Sequence, residues 1–173
     1  AKPEVDAKIY QYETTALDKL TKNPQDKTAA AEALAAFKTL QSAHQSYVGL
    51  FPALLETADK LVIAGDVAGA TEILEKGMDS AHNSYAKFFL LSRLAALYED
   101  ANNTDKAIET LTKMTSNDAK VFEGKIYLDL GRLNLTKGNK EEAKKHFSYV
   151  VDKANQDAEF VKIAKIYLED LKK

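Results

Sequence analysis

Three histidines, His44, His82 and His146, are the side chains of this chain best suited to proton transfer or metal ligation near neutral pH, and they are scattered. No His-x-x-x-His or Glu-x-x-His pair and no serine elbow surrounds them. Glu142 and His146 stand four residues apart, a spacing that on a helix puts both on one face and allows an ion pair or half of a metal site. With no second pair in the sequence, the ion pair is the reading. The carboxylate pairs Glu99-Asp100, Glu141-Glu142 and Glu169-Asp170 fall at helix ends, where charge is ordinarily solvated. The seven glycines are isolated at turns or helix ends, so no phosphate-cradling loop is present. No catalytic residue, metal ligand or cofactor is therefore expected. A metal-dependent enzyme is the alternative of a different class, and a metal carried by the purified protein would favour it.

Composition narrows the field in the same direction. Lys plus Arg number 24 against 26 Asp plus Glu in 173 residues, a formal charge of −2, which supplies no field for gathering nucleic acid. The eight tyrosines and seven phenylalanines fall mainly at helical spacing and read as core rather than as a stacking platform. Without cysteine there is neither a disulfide framework nor a Cys-based metal site, so composition leaves the compartment open. The longest apolar stretches, Phe88 to Leu91 and Tyr47 to Leu55, fall well short of the roughly 20 residues of a membrane-spanning helix. The chain begins at Ala1-Lys2-Pro3 without an apolar leader, and the expectation is that an upstream segment has been removed.

The elements that carry these residues follow from a frame that returns three times: Gly65-Asp66 then Ala70, Asn102-Asn103 then Ala107, and Gly138-Asn139 then Ala143. Gly or Asn can take the left-handed backbone that ends a helix, and the Asp or Asn after it can cap the next one. Each pair is thus a tight turn between two antiparallel helices. Twelve residues before each alanine stands another small residue, Ala58, Ala95 or Gly131, so small faces small across each hairpin. Leu74, Leu111 and Phe147, four residues after the alanines, supply a large side chain toward the next unit.

The spacing predicts an all-α chain. A helix from Glu4 to Leu20, ended by Asn23-Pro24, is followed by an alanine-rich helix from Gln25 to His44. Three hairpins follow, one with its first helix ending at Ala64 and its second at Val67 to Met78, then Ala86 to Ala101 with Asp105 to Met114, and Ala119 to Lys137 with Lys140 to Val151. An amphipathic helix from Asn155 to Leu171 closes the last hairpin's apolar face. The organisation expected is a leading helix pair over residues 1–45, three repeats over residues 46–154 and a C-terminal capping helix over residues 155–173, as one continuous α-α solenoid. Close helix contact at Ala107 makes Ala107→Leu the costlier change, with Ala30→Leu in the leading pair milder.

At these positions the chain resembles the tetratricopeptide repeat family, whose pattern places a small residue, a Gly with an acid or amide, and an Ala at matching offsets. The intervals of 37 and 36 residues exceed the usual period of about 34, and His82 and Ala119 stand where a closing proline is usual. Longer turns between repeats follow. Across nearly the whole chain, Tyr47-Val48-Gly49-Leu50, Leu91-Ser92-Arg93-Leu94-Ala95, the stretch from Leu135 to Ala143, and Ile163 to Leu168 look like the bacterial YfgM-type family. That resemblance implies a periplasmic domain tethered to the inner membrane by an upstream anchor, an ancillary part of the Sec translocon that contacts periplasmic chaperones. It implies a non-catalytic protein-binding scaffold without nucleic acid, with a homodimer possible. A soluble adaptor in another secretion or pilus assembly is the alternative within the binding class. Carrying the repeat positions onto this chain places Leu55, Asp59, Phe89, Ser92, Glu99, Lys125, Leu128 and Arg132 on the concave, partner-binding face. Their mixed character suits an amphipathic helix or an extended segment and lacks the Lys and Asn clamp that holds a free carboxylate.

Overall fold

The computed structural model describes residues 2–173, and every regular element among them is helical. Helix α1 (Pro3–Tyr12), a π-helical turn (Glu13–Leu17) and α2 (Asp18–Lys22) run on as one rod. The π turn answers a step in the apolar pattern. The buried positions are Val5, Ile9, Tyr12, Leu17 and Leu20, and the five-residue step from Tyr12 to Leu17 would carry Leu17 about 140° around a regular α-helix. The wider turn brings it back to the buried face. Thr14 and Thr15 donate their hydroxyls to the carbonyls of Tyr10 and Gln11, at 2.9 and 2.6 Å, where the helical ladder is loosened.

Helix α3 (Lys27–His44) starts at Asp26, whose carboxylate accepts the N–H groups of Thr28 and Ala29. Its alanines are an interior face, with Ala29, Ala30 and Ala33 almost wholly buried beside Phe37. Ala30 is therefore as enclosed as Ala107, and the milder position expected from its place in a leading helix is not found. The leading helices are fastened to the first hairpin by buried polar contacts. Tyr12 and Thr57 of α4 (Phe51–Ile63) share a 2.6 Å hydroxyl bond, and the Tyr12 ring lies 5.7 Å from that of Phe37. Gln41 donates to the carbonyl of Ile73 in α5 (Val67–Glu75) at 2.8 Å. Two further ties, Tyr47 to Asp6 at 2.6 Å and His82 to the Ser46 carbonyl at 2.7 Å, hold the segments around α4.

Contacts divide the chain inside α6 (Ser84–Asp100), into a unit Ala1–Leu94 and a unit Ala95–Lys173. The second unit holds the end of α6 together with α7 (Thr104–Thr115), α8 (Glu123–Thr136), α9 (Lys140–Asp152) and α10 (Ala158–Leu171).

All three hairpin turns are built alike. Gly65, Asn102 and Gly138 take the left-handed backbone, with φ of 90°, 58° and 81°. The next residue's N–H reaches back to the carbonyl five residues earlier, Asp66 to Leu61, Asn103 to Tyr98 and Asn139 to Asn134, each at 2.8 Å. These are Schellman closures, which satisfy the last carbonyls of one helix before the next begins. Asp66 then caps α5 through Gly69 N–H at 2.9 Å, and Asn103 caps α7 through Lys106 N–H at 3.3 Å.

Between α7 and α8 the helix expected from Ala119 begins only at Glu123. The Asn117 side chain accepts the N–H of Ala119 at 2.7 Å, and Lys120 and Phe122 adopt φ of 49° and 53°, so these residues form a loop. Ala58 with Ala70 and Ala95 with Ala107 are buried in their hairpins. In the third hairpin the missing Cβ of Gly131 makes room for the ring of Phe147, not for Ala143 alone, since a Cβ there would lie 2.7 Å from Phe147 Cδ1 and Cζ. Phe147 in turn stacks on Tyr167 of α10 at 4.6 Å with ring planes 3° apart. Helix α10 covers α8 and α9 as a capping helix should, and Phe147 and Val150 beneath it are fully buried. It starts at Ala158, later than expected, because Asp157 caps it through Glu159 N–H at 2.9 Å.

Candidate protein-interaction face

In a helical hairpin repeat the first helices carry the residues that vary with the ligand, and here those are α4, α6 and α8. Each unit holds four of the eight expected residues. In the first unit, Asp59 of α4 is bound by Arg93 of α6, Nε to Oδ1 and Nη2 to Oδ2, both at 3.0 Å. This planar two-point contact ties two first helices together at the surface. Phe89, one turn before Arg93, is 45 % exposed and meets Phe88 edge-on at 6.0 Å. Ser92 is exposed beside it, and Leu55 is half-buried.

The second unit repeats the device. Arg132 of α8 grips Glu99 of α6, Nη1 to Oε2 at 2.8 Å and Nη2 to Oε1 at 3.0 Å, and also reaches Asp129 at 3.3 Å. Asp129 accepts from Lys125 at 2.7 Å. The hydrogen bond to Glu99, foremost, holds the Arg132 guanidinium pKa above its ordinary value against the opposing effect of desolvation. Glu99, Lys125 and Arg132 are thus brought together around Asp129, as a chain of alternating charge. Leu128 is corrected: it is 8 % exposed and lies in the core with Ala143, Phe147, Val150 and Ala164. Its place on α8 turns toward α9 and α10, so it supports the face from beneath.

Two members of these pairs, Arg93 and Asp129, are absent from the residues expected. The signal for Arg93 in the sequence is an acid on one first helix followed by an arginine 34 or 33 residues later, Asp59 to Arg93 and Glu99 to Arg132, and Asp129 stands three residues before that second arginine. Because these charges are mutually satisfied, each unit's face offers no uncompensated charge there. Toward solvent stands Phe89, with the more exposed Tyr85 one turn before it on the same helix.

His146 Nε2 stands 3.7 Å from Glu142 Oε2, and Glu142 also accepts from Lys145 at 3.1 Å. Burial foremost lowers the His146 pKa below its usual value, with Glu142 opposing and Lys145 reinforcing. Among the described residues no three His, Cys, Asp or Glu side chains gather as a metal site. No helix among them is long and apolar enough to cross a membrane.

Comparison with known proteins agrees with the helical hairpins. No curated protein matches the chain at a significant level. A crystal structure of MamA protein superposes with a TM-score of 0.59 at 16 % identity, over 95 % of this chain and 86 % of that one. A second crystal structure of MamA gives a TM-score of 0.54 at 18 % identity, over 89 % and 86 % of the two chains. At these identities the likeness is one of fold. The sequence model of the tetratricopeptide repeat-like domain matches residues 6–173, and the chain belongs to that family.

Proposed function

We propose that this chain is a non-catalytic, protein-binding scaffold of the bacterial cell envelope, of the YfgM type, working beside the protein-translocation machinery and periplasmic chaperones. In this reading it sits in the periplasm, held at the inner membrane by a segment upstream of the chain. Tetratricopeptide repeat-like domains generally bind other proteins. The observation that carries the reading here is Phe89, an aromatic ring left 45 % exposed on a first helix beside the Asp59–Arg93 pair. An exposed aromatic beside a rigid, charge-neutral polar pair is the composition of an interface anchor, since a few aromatic residues carry most binding energy. Partner chemistry follows: an apolar segment, helical or extended, in place of a strongly charged one.

The test is capture from a detergent-solubilised envelope extract, with the retained proteins identified by mass spectrometry. Translocon subunits and periplasmic chaperones are expected on the unaltered protein, and Phe89→Ala is expected to lose them while melting as before. Retention of pilus or other secretion subunits instead would move the assignment to a different assembly. Equal capture by Phe89→Ala would remove this face as the site.

A further inference from the structure

Away from the first-helix faces, the loop before α8 and the start of α10 enclose a cleft of about 470 Å³ in the second unit. Its size is that of a ligand pocket for a side chain or small group. Phe122 and Phe160 contribute aromatic surface, and Glu123 and Asp157 contribute carboxylates. Phe122 is 67 % exposed and holds φ at 53°, a backbone region that bulky residues rarely enter. Lys120, also at positive φ, has its ammonium turned to the Thr115 carbonyl at 3.0 Å. At the floor Gly124 is buried, and a Cβ there would meet Phe160 Cδ2 at 3.4 Å and the Ala154 carbonyl at 3.1 Å, so the wall is bare backbone. Strained residues persist where the surroundings hold them, and they gather at binding loops.

The charge of the cleft selects its occupant. The carboxylates of Glu123 and Asp157 outnumber the single cation of Lys120. The start of α10, which could attract an anion, is already capped by Asp157, whose Oδ1 accepts Glu159 N–H. An aromatic pair with surplus negative charge suits a flat or compact cation whose stem can lie on the rings. We infer that this cleft receives a basic side chain, arginine above all, from a protein partner. The guanidinium stacks on Phe122 and its N–H groups meet Glu123 and the free oxygen of Asp157. This rests on the reading of the chain as a protein-binding domain, but it concerns a different surface from Phe89.

The experiment is an NMR titration of the whole chain with N-acetyl-arginine amide, and with N-acetyl-citrulline amide as its neutral isostere, at physiological salt. Shift changes confined to the amides of Phe122, Gly124 and Phe160 are expected for arginine, with citrulline binding about tenfold more weakly. Phe122→Ala is expected to weaken arginine binding about threefold. The double change Glu123→Gln with Asp157→Asn is expected to weaken it about fivefold, because asparagine keeps the helix cap and removes only the charge. Equal shifts for arginine and citrulline, shifts elsewhere on the surface, or unchanged binding in both variants would each overturn the assignment. The probe is a single residue, so its failure leaves the Phe89 face untouched, and loss of partner capture by Phe89→Ala leaves this cleft untouched.

Discussion

Replacing Gly131 by alanine puts two effects of known size in opposition. In the middle of α8 a glycine costs the helix about 1 kcal/mol relative to alanine, so the change should stabilise on propensity alone. The added Cβ, however, would lie 2.7 Å from two ring carbons of Phe147. That ring is fully buried and stacked on Tyr167 at 4.6 Å, which leaves it little freedom to retreat. Overpacking of this kind costs about 1 to 3 kcal/mol, so the net effect of Gly131→Ala is a loss of up to about 2 kcal/mol. In a Phe147→Leu background the clash is removed, and the same alanine should stabilise by about 1 kcal/mol. The assay is urea unfolding followed by circular dichroism on the four proteins of this cycle, with m-values checked for constancy. An alanine that stabilises equally in both backgrounds would refute the placement of Phe147 over Gly131, and with it the packing of the third hairpin.

Ala30→Leu and Ala107→Leu should both lower the unfolding free energy, each by about 1 to 3 kcal/mol, because both methyls are enclosed; a harmless Ala30→Leu would contradict the placement of α3. Tyr12→Phe leaves the buried Thr57 hydroxyl without its partner and should cost about 1 to 3 kcal/mol, and Thr57→Val added to it should restore much of the loss. Burial lowers the His146 pKa, so the folded state resists the proton that the unfolded chain accepts below about pH 6.5; stability should fall as pH drops from 7.5 through that range. In His146→Gln, whose surroundings still include Glu142, Lys145 and Tyr127, melting temperature should lose that part of its pH slope, and an unchanged slope would assign it elsewhere.

The hairpin turns were legible in the linear order of residues because they are decided locally. A left-handed residue needs Gly or Asn, and the same backbone closure follows within six residues at Gly65, Asn102 and Gly138, while the side chain after it caps the next helix at Asp66 and Asn103. The helical character of the chain was equally visible, since 3.6-residue periodicity is a property of the chain itself. Even the π turn had its trace in the five-residue step from Tyr12 to Leu17. What the order of residues could not reveal was which side chains meet when helices distant in sequence come together. That Arg93 would engage Asp59, that Arg132 would be shared by Glu99 and Asp129, and that Leu128 would turn inward depends on helix rotation. A rotation of one helix by a fraction of a turn exchanges surface for core, and only the sum of all packing contacts sets it. The same holds for the loop before α8, where Asn117 and two left-handed residues displace the helix that periodicity favours from Ala119. Tertiary packing alone opened the aromatic and acidic cleft there, by setting that loop against the start of α10.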